Sequence, residues 1–219
     1  MHIQLPSTFR YAVFGLICLL STGLTDTSYA ARAQIETRVG TPYLGAIVTD
    51  ADTGMILFED RSDVPGYPAS TLKVMDLMLV LQAIQAGTLK PDDPVRVTAE
   101  AARIGGSQVY LKENESFTVD ELLYALMVQS ANDAATALAI HIAGSKDGFV
   151  AMMNKQAQSL RMRSTQFHSV HGLPPADGQQ PDISTARDLA YLARAVLAYP
   201  ETLRYTSTTE RTFREQPPF

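Results

Sequence analysis

Cysteine is almost missing from this chain: Cys18 is the only one among 219 residues. It lies inside an apolar run behind Ile17, which is not the small residue that lipoprotein processing needs, so no lipid anchor is expected there. Once the first 30 residues are set aside no cysteine remains. That excludes disulfides, thiolate catalysis and Cys-ligated metals from the rest. Blocks of like charge are missing too. The formal charge of -5 arises from acidic and basic residues interleaved along the chain, with no footprint for nucleic acid or another polyanion. There are no internal repeats and no low-complexity stretches. The apolar run at residues 11–24 is shorter than the ~20 residues that cross a bilayer as a helix.

What is present at the N-terminus is Arg10, then that apolar run, then Ser28-Tyr29-Ala30. This is the order of a basic region, an apolar region and a small-x-small cleavage site, so residues 1–30 are expected to be a signal peptide. Export of a chain without disulfides suits a bacterial periplasm or cell surface. Residues 31–219 have the length of one globular domain, and 46% of the whole chain is apolar.

Residues 44–49 and 55–59 are short runs of apolar and β-branched residues separated by Asp50-Ala51-Asp52-Thr53-Gly54, which predicts a β-hairpin. Residues 71–86 lack Gly and Pro and carry apolar side chains all round the helical wheel, which predicts a buried helix stopped by Gly87. Residues 90–111, with Pro91, Pro94 and Gly105-Gly106, read as an irregular surface connection. Thr118-x-x-Glu121 has the form of a capping box and opens a second helix through Leu122, Leu123, Leu126 and Met127. Further helices are expected over residues 133–143, closed by Gly144, and 147–160. A last one follows residues 182–185, presents Leu189, Leu192, Ala193, Val196 and Leu197, and ends near Pro200.

Ser70 and Lys73 stand three residues apart at the start of the buried helix, so their side chains share one face. A serine hydroxyl becomes a useful nucleophile when a neighbouring base takes its proton, and a lysine serves only if burial or positive charge lowers its pKa. Bringing it from about 10.4 to about 7 requires a bias of about 4.6 kcal/mol against the ammonium. Spacing alone also allows a plainer reading, in which Ser70 caps the helix and Lys73 pairs with Asp76. Ser130-Ala131-Asn132 falls in a break between two helices, where residues face clefts, although Ser130 or Asn132 as a helix cap explains that position equally. His168 and His171 lack the i, i+4 spacing of a helical zinc pair, so no metal is expected, and no cofactor is implied. His141 reads as packed or surface-exposed. Nothing local supports a Ser-His-Asp triad.

The order of these motifs adds more than their spacing. Pro68-Ala69-Ser70-Thr71-Leu72-Lys73, then Tyr110-Leu111-Lys112-Glu113, then Ser130-Ala131-Asn132-Asp133-Ala134-Ala135, then His171-Gly172-Leu173 and Ser184-Thr185-Ala186-Arg187-Asp188-Leu189-Ala190 closely resemble the D-alanyl-D-alanine carboxypeptidases among the low-molecular-mass penicillin-binding proteins. The resemblance runs from about residue 44 to residue 200. It implies an α/β (α+β) architecture of the β-lactamase/transpeptidase type, a helical cluster against an antiparallel sheet. It implies Ser70 as the acylated nucleophile, Lys73 as base or proton relay, Ser130 as proton shuttle to the leaving amine, and Asn132 as the amide orienting the substrate backbone. The Ser70 N–H would be half of an oxyanion hole. The implied substrate is a peptidoglycan stem peptide, with β-lactam antibiotics as covalent inhibitors.

The family's third motif, Lys-Thr-Gly on a sheet strand, does not occur after Asn132. The expectation is therefore a chain truncated before that strand, supplying only the first hairpin of the sheet and leaving one wall of the cleft and one sheet edge open. Two other functions are set beside the carboxypeptidase. A serine β-lactamase of class A adds a Glu that activates the deacylating water, and no matching Glu-x-x-x-Asn follows Asn132. A non-catalytic penicilloyl-binding protein or inactive fragment is favoured by the missing third motif. The lifetime of the acyl-enzyme separates the three.

Overall fold

The computed structural model describes residues 43–214, so the expected signal peptide lies outside the described residues. The expected hairpin forms from β1 (Ala46–Thr49) and β2 (Ile56–Asp60), paired antiparallel with Ala46 opposite Asp60 and Val48 opposite Phe58. Asp50 makes its turn, its carboxylate accepting the Thr53 N–H at 2.7 Å and the Thr53 hydroxyl at 2.6 Å. Met55, just before β2, and Ile56, Leu57 and Phe58 within it are all about half exposed.

A short 3-10 turn (Ala69–Leu72) runs straight into α1 (Lys73–Gln85). Met75, Leu77, Met78, Leu79, Val80 and Leu81 are all buried there, as an apolar wheel without a polar face requires. Residues 90–111 depart from the expected irregular connection. They contain β3 (Pro94–Arg96) and α2 (Ala99–Ala102), and β3 pairs antiparallel with β4 (Ser116–Thr118) to make a second two-stranded sheet. Pro94 is tolerated because it opens an edge strand, and Thr98 caps α2 by accepting the Ala101 N–H at 3.2 Å.

The capping box at Thr118 opens α3 (Val119–Val128): its hydroxyl accepts the Glu121 N–H at 3.2 Å, and the Glu121 carboxylate accepts the Thr118 N–H at 2.7 Å. Then follow α4 (Asn132–Ala143), α5 (Lys146–Ser159), α6 (Ala186–Val196) and α7 (Thr202–Thr206). Helix α1 runs through the middle of the cluster, touching α3, α4, α5 and α6, while α6 also leans on β1. This is a helical cluster with an antiparallel hairpin on its flank, an α+β arrangement. Among the described residues, those after Pro200 form α7 and no strand, and β1–β2 stays two-stranded.

Candidate active site

One stretch of chain holds both approaches to the site. Ser184 pairs with Gly66, N–H to O at 2.9 Å and back at 2.8 Å, and Ile183 pairs with Gln166 at 2.9 Å in both directions. Residues 182–185 are thus clamped between the approach to Ser70 and the approach to His171. Asp182 tightens the second contact: its carboxylate accepts the N–H of His168 at 2.6 Å and of Ser169 at 2.9 Å, and the Ser169 hydroxyl at 2.6 Å. Gly172 then lies hard against Ala69, where a Cβ would come 2.2 Å from the Ala69 carbonyl oxygen. Only a residue without a side chain fits that contact, and its φ of +74° points to the same requirement.

These constraints bring the four sequence-predicted residues together around one nitrogen. Lys73 Nζ lies 3.1 Å from Ser70 Oγ, 3.2 Å from Ser130 Oγ, 2.7 Å from Asn132 Oδ1 and 3.2 Å from the His171 carbonyl oxygen. Ser70 is exposed, whereas Lys73 and Asn132 are each only 2% exposed. Neither plain capping reading describes the structure. The 3-10 turn has no side-chain cap, α4 is preceded by Ala131 with no side-chain cap, and Asn132 is already helical. Ser130 instead adopts the left-handed region at φ 56°, as does Ala69 at φ 46°. Conformations of that kind cost about 1–3 kcal/mol each and gather where a site dictates geometry.

Asn132 is oriented from its other end, its Nδ2 donating to the Gly105 carbonyl at 2.8 Å. Because that neighbour only accepts, the amide oxygen is left to face Lys73. Gly106 must lack a side chain here, since a Cβ would stand 2.6 Å from Asn132 Nδ2. Asp133 straps down the next stretch by accepting the N–H of Val109 at 3.3 Å and of Leu111 at 2.9 Å.

Burial lowers the Lys73 pKa to about 8, against the pull that Asp133, and Asp76 whenever it is ionised, exert on it. That is a bias of about 3 kcal/mol, and it leaves about a tenth of the lysine as free amine at pH 7. The His171 ring is held near 4 by burial, with Lys146 adding to the effect, so it is neutral. Its Nδ1 accepts the Leu173 N–H at 3.1 Å. Asp76 is not bonded to Lys73. Neither of its carboxyl oxygens has a hydrogen-bond partner, and burial pushes its pKa well up. Sequence reasoning missed the Gly105 and His171 carbonyls, because a backbone acceptor leaves no mark in residue identity. The Gly105-Gly106 pair and the His171-Gly172 pair were the available signals. His141 is exposed and stands apart.

An exposed hydroxyl, a second hydroxyl, a carboxamide and a backbone carbonyl gathered on the nitrogen of a buried low-pKa lysine form an arrangement able to support acyl transfer to a serine. A family model described as D-alanyl-D-alanine carboxypeptidase matches residues 38–217, and the chain belongs to that family. It is 36% identical over 170 residues to the D-alanyl-D-alanine carboxypeptidase DacF of Bacillus subtilis, covering 78% of this chain and 43% of that protein. The crystal structure of the D-alanyl-D-alanine carboxypeptidase DacD from Francisella tularensis superposes with a TM-score of 0.71 at 31% identity, over 83% of this chain and 43% of that one. Penicillin-binding protein D2 from Listeria monocytogenes, in its ampicillin-bound form, superposes with a TM-score of 0.66 at 32% identity, over 75% of this chain and 65% of that one. The chain therefore spans less than half the length of the DacF relative.

Proposed function

We propose that this chain carries the acylation centre of a serine-type D-Ala-D-Ala carboxypeptidase that acts on peptidoglycan stem peptides after export to a bacterial periplasm or cell surface. The observation that carries this reading is the four-oxygen environment of Lys73 Nζ. Family membership and the β-lactam-bound relative support it.

The chemistry follows from counting protons. A neutral lysine amine has two N–H groups and one lone pair. The Asn132 and His171 oxygens can only accept, so they take the two N–H groups, and the single lone pair serves one hydroxyl at a time, Ser70 in the attack and Ser130 in the return of the proton. Ser70 Oγ attacks the carbonyl carbon of the penultimate D-Ala as its proton passes to Lys73 Nζ. The tetrahedral intermediate collapses with cleavage of the C–N bond. The proton returns through Ser130 to the departing amine of the terminal D-Ala, leaving an acyl ester on Ser70 that water hydrolyses. Asn132 orients the substrate backbone. A β-lactam presents a strained amide to the same oxygen and stays attached as a penicilloyl ester.

The test is labelling with a tagged penicillin. The adduct maps to Ser70, and Ser70→Ala abolishes it; label retained in that variant removes Ser70 as nucleophile. A slowly released adduct supports the carboxypeptidase reading, whereas rapid release of hydrolysed penicillin identifies a β-lactamase.

A further inference from the structure

Three carboxyl groups act on the Lys73 neighbourhood, and they are not equivalent. Asp133, from α4, is satisfied by the N–H groups of Val109, Leu111 and Ala134. Asp182, ahead of α6, is satisfied by two N–H groups and a hydroxyl. Asp76 is the odd one. It follows Lys73 by three residues on the same helix, between Met75 and Leu77, which are both fully buried. It is 2% exposed, and neither oxygen has any partner. Lys73 is the one cation among the described residues that acts on it, and the three donors of its ammonium face four other oxygens instead.

A carboxylate desolvated without a donor is costly, and a protonated carboxyl in the same place is far less so. An anion there would also hold Lys73 as the ammonium and remove the lone pair that Ser70 needs. We propose that Asp76 is a positioning residue, kept as a neutral acid behind Lys73, and that its lack of charge leaves Lys73 free to shed its proton. This rests on reading Lys73 as the base. The other groups that face the pair are Asp133 toward Lys73 and Asp182 toward Asp76, Lys146 at the head of α5 acts on the neighbouring His171, and the His171 ring is neutral.

The sign of the linkage makes the proposal testable without any activity. An acid protonated when folded but ionised above about pH 3.9 when unfolded binds a proton only in the native state, so its contribution to stability falls as pH rises from about 4. An amide has no such dependence. Thermal midpoints of wild type and Asp76→Asn measured from pH 4 to pH 8 should coincide at the acid end. They should diverge in the variant's favour toward pH 8, by at least about 4 °C. Asp76→Thr, a smaller neutral side chain, should show the same trend with pH from a different baseline. The pH at which penicillin labelling reaches half its maximum should move by less than about 0.3 in Asp76→Asn, since the amide copies the neutral acid. If neither variant folds, the infrared band of a protonated carboxyl in wild type at pH 7, shifted by carbon-13 aspartate, takes their place. A gap independent of pH, a variant that loses stability relative to wild type as pH rises, a labelling midpoint lowered by about one unit or more, or absence of the infrared band each overturns the proposal. Failure of Ser70 to label at any pH sinks the reading of Lys73 as base, while the thermal comparison still decides the charge on Asp76.

Discussion

At the scale of single residues the proposed chemistry turns on a lysine that gives up a proton. Lys73→Arg keeps a positive charge that never dissociates at working pH, so it should lose penicillin labelling at Ser70 by at least about 100-fold, as fully as Lys73→Ala. Near-normal labelling in the arginine variant makes Lys73 an electrostatic partner instead. In the wild type, labelling should rise with pH as the ammonium dissociates and reach half its maximum near the Lys73 value of about 8. A rate flat from pH 6 to 10 contradicts that role. The residues of this cluster were legible because hydroxyl, amine and amide each have a chemical reason to stand at fixed spacing. What spacing left open was the partner of Lys73. Pairing with Asp76 and contact with Ser70 both satisfy a three-residue offset, and only the packing of residues 105–107 and 168–172 selects between them.

At the scale of elements, helices with caps and apolar wheels were readable, and the second two-stranded sheet was not. Three-residue strands such as β3 and β4 are too short to show alternation, and Pro94 and the nearby glycines argued for a loop. The contact of Gly172 with Ala69 is equally silent in sequence, since it joins segments far apart in the chain. It yields a paired test. Gly172→Ala and Gly178→Ala both place a side chain at positive φ, but only the first meets other atoms, because nothing lies within 4 Å of a Cβ at position 178. Gly178→Ala should cost about 1 kcal/mol in denaturant unfolding with labelling intact. Gly172→Ala should cost about 2 kcal/mol or more and also slow labelling of Ser70. Equal costs at the two positions place no weight on the contact. Thr118→Ala, which removes half of the capping box, should lose about 1 kcal/mol by the same measurement.

At the scale of the whole molecule, β2 carries three consecutive half-exposed apolar residues, with exposed Met55 just before them, on a sheet that is two-stranded among the described residues. An uncovered strand of that composition pairs readily with other chains. Phe58→Lys should therefore reduce concentration-dependent light scattering while labelling of Ser70 is unchanged; equal scattering assigns self-association to another surface. The fold class was legible from the order of motifs. The way α6 lies between α1 and β1 was not, because one apolar stripe does not say which neighbours it meets. The bond from Lys73 to the His171 carbonyl closes a loop of 98 residues, and residues 182–185 pin both of its ends. Ser70 and Lys73 thus reach their working arrangement only when the far end of that loop has arrived, however early their own helix forms. Reactivity toward penicillin then becomes a clock for the final step of assembly. In refolding from denaturant, capture of the label should lag behind the recovery of helical circular dichroism, and the lag should lengthen in Gly172→Ala.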